Sequence, residues 1–526
     1  MSLSKFAGWI VLWLFRILKA IDNFMKRFWF IPIVIITIMY LFFAYTGVYG
    51  HLFHPDSPIV FDGAYRILQG QVPYSDFTTP TGPIVFYLQA FFMLVFGSTL
   101  FASVMHIAML SMILGWLLYS VTVKKLGPII SILISAFFFI SYYGVVSFPW
   151  YNQTAFFFLI LNILLIAKFI NKDSDWLLPV SALLATLALF SKQDIGALHF
   201  IFILAYFTYD YLFNREFKWS SLLKIFLRYI LPFAIFTGII FVLLSQIPSF
   251  LTYFNYGQDP HSSRLGMLFS LRLFQSFLHN SVLWLLLPIL VVLLLKEKDK
   301  LNRKLLFLSI VNSLLVVLIS ISSGQSMGTF LQFSPITAYL LFAYYTNKSV
   351  THHRKNIIFK ATAKHVAVFV LLLVLWVYMQ PMENLARPAF FTFNDYPNYA
   401  KMDSGCYKDA LFIEEDLEGF NKLKGILHGK DFIDFDSRFA FLYCDYNVKP
   451  ITGIPLWYSP GITLYELDNS RIIQAIGQNS PDAILLRHSN NAFLDYFTAN
   501  GYDVVYGVEM HDMIFQKTMV LVKNEN

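Results

Sequence analysis

Long apolar runs separated by short polar segments dominate the first 380 residues of the chain. Each run is long enough, or nearly long enough, to form a helix across a membrane, which takes roughly 20 residues. The predicted spans are 28–49, 99–122, 128–146, 153–170, 176–190, 195–213, 225–244, 281–295, 305–321, 329–346 and 365–380. This pattern predicts an α-helical polytopic membrane protein with about eleven transmembrane helices.

A further apolar run at 83–97 is too short to cross. Its fifteen residues would extend only about 22 Å as a helix, whereas the hydrocarbon core of a bilayer is about 30 Å thick. Gly82–Pro83 and Gly97 mark its two ends. We therefore predict a helix that lies in the membrane interface.

After residue 380 the pattern changes to short strands and helices. The segments KDFIDFD, DAILLR, DVVYGVEM and MVLVK predict strands, and CYKDALFIEEDLEGFNKLKGIL and NSRIIQAIG predict helices. The chain is thus divided into a transmembrane domain, 1–380, and a small C-terminal α/β domain, 381–526. No segment of the second domain has catalytic spacing, and we expect this domain to cover the site or engage the acceptor.

Composition supports the membrane assignment. The chain is 57% hydrophobic, 18% aromatic and only 13% charged, and its mean hydropathy is +0.59, which excludes an ordinary soluble enzyme. Residues 1–380 contain 27 Lys and Arg against 12 Asp and Glu, whereas residues 381–526 contain 12 against 20. The basic residues lie in short loops between apolar runs, so membrane topology and lipid headgroups explain them and no nucleic-acid partner is expected.

The distribution of basic residues predicts the orientation. Residues 3–20 lack a cleavage site and are predicted to form a cytoplasmic interfacial helix. If 83–97 does not cross, 22 Lys and Arg fall on the cytoplasmic side and four on the outer side, as the positive-inside rule requires. The protein is then a multi-pass protein of the bacterial inner or plasma membrane, with a cytoplasmic N-terminus and an extracytoplasmic C-terminal domain. In such a domain Cys406 and Cys444 are compatible with a disulfide or with two buried free thiols.

The first outer loop, residues 50–98, is unusually polar for this chain. It contains three acids, Asp56, Asp62 and Asp76, and one base, Arg66. Acids next to a bilayer are costly to desolvate and are usually placed where they function. Four other polar segments reach the same predicted face: 147–154, 191–196, 253–266 and 322–329. These segments together predict an active site at the outer membrane surface.

The segment HPDSPIVFDGAYRILQGQVPYSDF, followed by GPIVFYLQAFFMLVFG, resembles the first extracytoplasmic loop of the polyprenyl-phosphate-sugar-dependent glycosyltransferases with the C-type membrane fold. Protein O-mannosyltransferases and lipid A aminoarabinose transferases are members. The resemblance is carried by Asp56, Leu68–Gly70, Tyr74–Asp76 and Gly82–Gly97. It implies a hexosyl- or pentosyltransferase that moves a sugar from a polyprenyl-phosphate donor to an extracytoplasmic glycolipid, polysaccharide or protein.

Such a transfer requires a base for the acceptor hydroxyl and cations for the phosphate, which leaves without being protonated. Asp56 occupies the position of the family's catalytic Asp and is the predicted base; the alternative is a solvated loop residue or a helix cap. Lys192 is the predicted phosphate ligand; the alternative is a salt bridge with Asp194. Arg264 with His261 is the second candidate for the phosphate.

The remaining candidates have two interpretations each. Asp62 could bind substrate or cap the helix GAYRILQG, and Asp76 could hold Arg66, contact the sugar or close a turn. Asn152 could bond to a sugar hydroxyl or end a helix. The complete predicted substrate-binding set is Asp62, Arg66, Asp76, Asn152, Lys192, Gln193, His261, Arg264 and Gln325.

No cofactor is predicted with support from a motif. Ser57 and the segment Thr78–Thr81 replace acids and a lysine that many relatives carry, so a divalent metal is possible but unsupported. Neither a nucleotide motif nor His/Cys metal spacing occurs in the sequence. The competing functions are a flippase or other transporter, a polysaccharide polymerase and a non-catalytic assembly subunit; the polar groups gathered at one face favour the enzyme.

Overall fold

The computed structural model describes residues 20–49, 56–143, 148–172, 174–214, 219–247, 250–251, 281–323, 333, 336–347, 399–456, 466–487, 491–510 and 516–524. Three predicted site residues, His261, Arg264 and Gln325, lie outside these ranges. The predicted span 365–380 and almost all of the predicted interfacial helix 3–20 lie outside them as well.

The described part of the chain before residue 324 is mainly helical. Its helices are α1 Phe30–Tyr49, α2 Ser57–Leu68, α3 Ile84–Phe96, α4 Leu100–Leu126, α5 Pro128–Tyr143, α6 Tyr151–Phe169, α7 Leu177–Leu189, α8 Gln193–Tyr209, α9 Trp219–Ile225, α10 Leu231–Ser245, α11 Ser281–Lys296 and α12 Lys300–Ser323. One π-helical turn, Asp210–Asn214, follows α8, and another, Phe226–Ile230, joins α9 to α10.

Six stretches among the described helices are long and apolar enough to cross a membrane: Phe30–Tyr49, Leu100–Leu126, Tyr151–Phe169, Gln193–Phe213, Trp219–Ser245 and Lys300–Ser322. Shorter apolar helices stand between them, including α7 and α11. The prediction of a multi-pass α-helical membrane protein is therefore confirmed, while the number of spans and their orientation stay predictions.

Close packing holds the helices together. The Tyr40 hydroxyl of α1 donates a 2.7 Å hydrogen bond to the Ser135 carbonyl of α5. Gly115 of α4 makes room for this ring, since a Cβ there would lie 2.4 Å from the Tyr40 ring. In contrast, α9 and α10 present most of their apolar side chains outward. An all-round apolar helix with so little buried surface is suited to contact with lipid.

The first outer loop contains α2, the short strand β1 Phe77–Thr78 and α3. The helix predicted to begin after Asp62 begins at Ser57, because Pro58 fits the first helical turn. The thirteen residues of α3 extend only about 20 Å. The short helix predicted at 83–97 is thus present, and its outer side exposes Tyr87, Phe91 and Leu94.

The C-terminal region is an α/β domain, as predicted. Its four-stranded sheet has the order β4 Phe432–Asp434, β6 Ala483–Arg487, β8 Gln516–Lys523, β7 Tyr502–Met510, with only the β4–β6 pair parallel. The other elements are β2 Tyr399–Lys401, β3 Leu411–Ile413, α13 Glu414–Leu427, α14 Leu442–Asp445, β5 Ile454–Pro455, α15 Glu466–Asn479 and α16 Asn491–Ala499.

The predicted start of one helix in this domain is wrong. The helix predicted from Cys406 begins only at Glu414, and β3 precedes it. Asp409 has φ 68°, a left-handed conformation that cannot continue a helix. Cys406 instead forms a disulfide with Cys444, which decides between the two alternatives for the cysteines. The Cys406 carbonyl also accepts a 2.8 Å hydrogen bond from Leu100 N at the start of α4.

Candidate active site

The C-terminal domain is bonded to the first outer loop. Strands β1 and β5 pair in parallel, with Phe77 opposite Ile454. On either side of this pair, Gly453 N donates to the Asp76 carbonyl at 2.7 Å and Leu456 N donates to the Thr78 carbonyl at 2.9 Å. The segment around β5 therefore packs directly on the first outer loop.

Asp62 and Arg66 form a buried ion pair within α2. Arg66 Nε donates to Asp62 Oδ2 at 2.8 Å, and both residues are 1% exposed. Arg66 Nη1 donates to the Ile451 carbonyl at 3.2 Å, and its guanidinium lies 5.3 Å from the Tyr443 ring. Burial raises the pKa of Asp62 to about 6, and the charge of Arg66 opposes that rise. The pair fixes α2 to the C-terminal domain.

The prediction that Asp62 caps a helix is wrong, because Asp62 lies in the middle of α2. The prediction that Asp76 holds Arg66 is also wrong, since Arg66 is paired with Asp62. Asp76 Oδ2 instead accepts a 2.7 Å hydrogen bond from Val72 N and closes the turn before β1. Contact of these three residues with substrate stays a prediction.

Asp56 stands at the N-cap position of α2. It is half-buried, and its side chain makes no capping hydrogen bond. The next residue, Ser57, has its hydroxyl 3.2 Å from the Tyr407 hydroxyl of the C-terminal domain. The predicted base is therefore at the junction of the two domains, and helix capping does not engage its carboxylate.

Lys192 lies at the tight connection between α7 and α8. Its N–H donates to the Ala188 carbonyl at 2.8 Å. Gly196 is essential to this connection, because a Cβ there would lie 2.2 Å from Leu189 N. Lys192 is 2% exposed; its Nζ lies 3.7 Å from Asp194 Oδ1 and 5.7 Å from the Tyr151 ring centroid. Both sequence interpretations of Lys192 are compatible with this geometry, since the ion pair exists but is long.

The start of α8 is connected to two other parts of the site. The Gln193 side-chain amide donates to the Pro80 carbonyl at 2.8 Å. Asp194 Oδ2 accepts a 2.7 Å hydrogen bond from the Ser322 hydroxyl at the end of α12. Gly82 approaches Phe190 so closely that a Cβ would lie 1.7 Å from the Phe190 carbonyl oxygen. The outer loop, the α7–α8 connection and the end of α12 therefore form one polar centre.

Some buried polar atoms at this end of the molecule lack hydrogen-bond partners among the described residues. Thr78 Oγ1, Asn152 Oδ1 and Gln153 Oε1 are among them, and these residues are no more than 2% exposed. Buried polar atoms are nearly always paired, so these atoms are suited to a polar ligand. Asn152 was predicted from its position. Thr78 and Gln153 were not, although both lie in the polar segments singled out in the sequence.

No group of three or more His, Cys, Asp or Glu side chains within the described ranges is arranged to hold a metal ion. Lys192 brings a buried positive charge to this centre.

Comparison with known proteins gives a match to a family model and similarity to solved structures, two of which follow. A family model described as dolichyl-phosphate-mannose-protein mannosyltransferase matches residues 79–237. No curated protein matches the sequence. ArnT from Cupriavidus metallidurans bound to undecaprenyl phosphate is similar in structure, with 9% identity over 95% of this chain and 98% of that chain and a TM-score of 0.49. The apo state of that protein has 9% identity, covers 94% and 98% of the two chains, and has a TM-score of 0.47.

The family match confirms the resemblance to polyprenyl-phosphate-sugar-dependent glycosyltransferases that the first loop indicated. It extends from the Thr79–Gly82 segment through the α7–α8 connection to α10. It therefore includes Lys192 and Asn152, and it ends before the C-terminal domain.

Proposed function

We propose that this multi-pass membrane protein transfers a sugar from a polyprenyl-phosphate donor to a hydroxyl group of an extracytoplasmic acceptor. The main support is the match of residues 79–237 to a family described by a polyprenyl-phosphate sugar, dolichyl-phosphate mannose. Within that range, buried Lys192 lies beside the Tyr151 ring, and the two residues that follow Tyr151 carry side-chain oxygens without a hydrogen-bond partner among the described residues. The proposal covers hexosyl and pentosyl donors and a glycolipid, polysaccharide or protein acceptor.

In the proposed reaction the acceptor oxygen attacks the anomeric carbon of the sugar. The bond between that carbon and the phosphate oxygen breaks, and the electron pair remains on the phosphate. Asp56 takes the proton of the acceptor hydroxyl. Polyprenyl phosphate leaves with more negative charge than it had in the donor, so a fixed cation stabilises the transition state more than the bound donor.

Lys192 is the proposed cation for this phosphate. Its ammonium group lies in a buried setting, where an electrostatic contact is stronger than in water. Asn152 and Gln153 are adjacent in sequence to Tyr151, whose ring lies beside Lys192. Their unpaired oxygens and that of Thr78 are the proposed acceptors for sugar hydroxyls. Gln193, bonded to Pro80, positions the outer loop against this group.

The reaction is proposed for the outer membrane face. The disulfide between Cys406 and Cys444 supports this side, because such bonds persist in oxidising compartments. Its neighbours include Tyr407, which contacts the residue after Asp56. The proposed base and the disulfide therefore share one compartment.

The direct test is Asp56→Asn in proteoliposomes supplied with a panel of polyprenyl-phosphate sugars and membrane-extracted acceptor. This change removes proton acceptance but little volume, so transfer is expected to fall by about a hundredfold or more. Thermal unfolding and donor binding should remain near wild type. Asp495→Asn, which alters an exposed carboxylate in α16, is the matched control. Transfer by Asp56→Asn above about a tenth of wild type would contradict the assignment of the base.

A further inference from the structure

A second polar cavity lies away from the proposed active site. Its volume is about 250 Å³, and it opens between the C-terminal ends of α4 and α6, the start of α12 and the helical residues 336–347. Four lysines line it: Lys124, Lys125, Lys168 and Lys172. No Asp or Glu is among the described residues that line it.

The cavity is at the opposite end of the membrane helices from the active site. Helix α6 begins at Tyr151, beside Lys192, and the cavity-lining Lys168 is in its last turn. Helix α12 runs from Leu301, which lines the cavity, to Ser322, which bonds to Asp194. These two paths are about 25 and 32 Å long at 1.5 Å per residue, which is close to the thickness of a bilayer core.

Two of the four lysines, Lys125 and Lys172, have neutral partners in the described structure. Lys125 is half-buried, and its Nζ donates to Asn347 Oδ1 at 2.6 Å and to the Ala343 carbonyl at 3.4 Å. Lys172 Nζ lies 5.9 Å from the Phe169 ring centroid. None of the four lysines forms an ion pair with a described acid, so a cavity of this size carries a local excess of positive charge.

Described acids at this end of the molecule are engaged elsewhere; Asp175, for example, is paired with Lys224 and Arg228. Asp22 lies 3.4 Å from Lys26 and accepts a hydrogen bond from Ile129 N. Asp210 is paired with Lys304 at 3.0 Å. Topology alone would place lysines in loops at this end. Topology alone does not explain why Lys125 is half-buried between helices and donates a hydrogen bond to an amide oxygen.

We propose that this cavity binds a phosphate anion, and that the anion is the headgroup of an acidic membrane lipid. Basic pockets between membrane helices are suited to such headgroups, and lysines bind phosphate as point charges. The open end at the membrane surface admits a headgroup whose acyl chains remain in the bilayer. The site is separate from the proposed donor site, and its occupation would stabilise the packing of α4, α6 and α12 at their far ends.

The first test counts lipids retained by the purified full-length protein in native mass spectrometry. The protein is mixed with phosphatidylglycerol or with phosphatidylcholine, and we expect preferential retention of phosphatidylglycerol. The triple variant Lys125→Gln, Lys168→Gln, Lys172→Gln should weaken that retention at least about tenfold, because charge-assisted contacts are lost.

The matched control is the triple variant Lys296→Gln, Lys298→Gln, Lys300→Gln. It removes the same charge from exposed lysines at the end of α11 and the start of α12, and it should retain phosphatidylglycerol like wild type. Equal loss of retention in the two triple variants would overturn the proposal, since it would show attraction by net charge alone.

A second measurement uses the wild-type protein, so it does not depend on a variant that folds. Acetylation of Lys125 is followed by peptide mass spectrometry in vesicles of phosphatidylglycerol and of phosphatidylcholine, each with and without inorganic phosphate. Protection in phosphatidylglycerol alone supports the lipid headgroup. Protection by inorganic phosphate in both vesicles would replace the lipid with free phosphate as the ligand. Equal acetylation under all four conditions would overturn the site.

Discussion

Two buried ion pairs with the same charges have different surroundings. Asp62 and Arg66 are in direct contact at 2.8 Å and belong to the interface with the C-terminal domain. Lys192 and Asp194 are 3.7 Å apart, and Asp194 is also held by Ser322. A closely paired arginine has little capacity for another anion, whereas a lysine that is loosely paired can bind a phosphate. The spacing in sequence could not distinguish these cases, because the decisive contacts come from distant segments.

The phosphate role of Lys192 can be separated from a structural one by a double-mutant cycle. Lys192→Met should lower transfer by about ten- to a hundredfold, because a charge-assisted contact of roughly 1.5–3 kcal/mol is lost as phosphate charge develops. Lys192→Arg should rescue only part of the activity, since a planar fork differs from a point charge. Transfer rates at saturating and limiting donor are the measurement.

Asp194→Asn and the double variant complete this cycle. If Lys192 contacts the phosphate, Asp194→Asn should be less harmful than Lys192→Met. Equal losses in both single variants, with no further loss in the double variant, would instead show that the ion pair itself is what matters. If Lys192→Met were fully active, another cation would have to bind the phosphate, and Arg264 is the next candidate.

At the scale of elements, the apolar pattern predicted the helices well. Predicted span 99–122 corresponds to α4 and predicted span 153–170 to α6, because an unbroken apolar run in a membrane protein has few alternatives to a helix. The loop between α2 and α3 was less predictable. Its form depends on β5 and on the end of α7, and neither contact leaves a local signature in residues 69–83.

A substitution of Gly82 tests whether the first outer loop must lie against the end of α7. Gly82→Ala should push the loop away from the Phe190 carbonyl, destabilise the protein by about 1–3 kcal/mol as other overpacked sites do, and lower transfer. Gly47→Ala is the matched control, because a Cβ at Gly47 in α1 meets no atom within 4 Å. Thermal unfolding and transfer rates of the two variants are compared. Wild-type stability and activity in Gly82→Ala would show that this close approach is unnecessary.

At the scale of the whole molecule, the described residues before 324 are mainly helical and those from 399 onward form the predicted α/β fold. The attachment of one to the other could not be predicted. It depends on Arg66 contacting Ile451 and on Gly453 contacting Asp76, and such contacts between remote segments leave no periodic pattern in either. The domain boundary and the orientation in the membrane remain predictions.

Orientation can be tested with single added cysteines, because the two natural cysteines are joined in the disulfide. Lys422→Cys in α13 and Lys298→Cys between α11 and α12 both place a thiol at an exposed position. A membrane-impermeant maleimide should label the first in intact cells and the second only after permeabilisation. Labelling with the opposite sidedness would show that the C-terminal domain is cytoplasmic.

The joining of β1 to β5 has a consequence for biosynthesis. Arg66 and Ile451, which are in contact beside this strand pair, are 385 residues apart in the sequence. Because the ribosome synthesises the N-terminal part first, the first outer loop is made long before residues 450–456, the segment that packs on it. A truncated or stalled chain would insert its helices yet leave this loop uncovered. The loop is thus translated early but reaches its final contacts late, after residues 450–456 have been made.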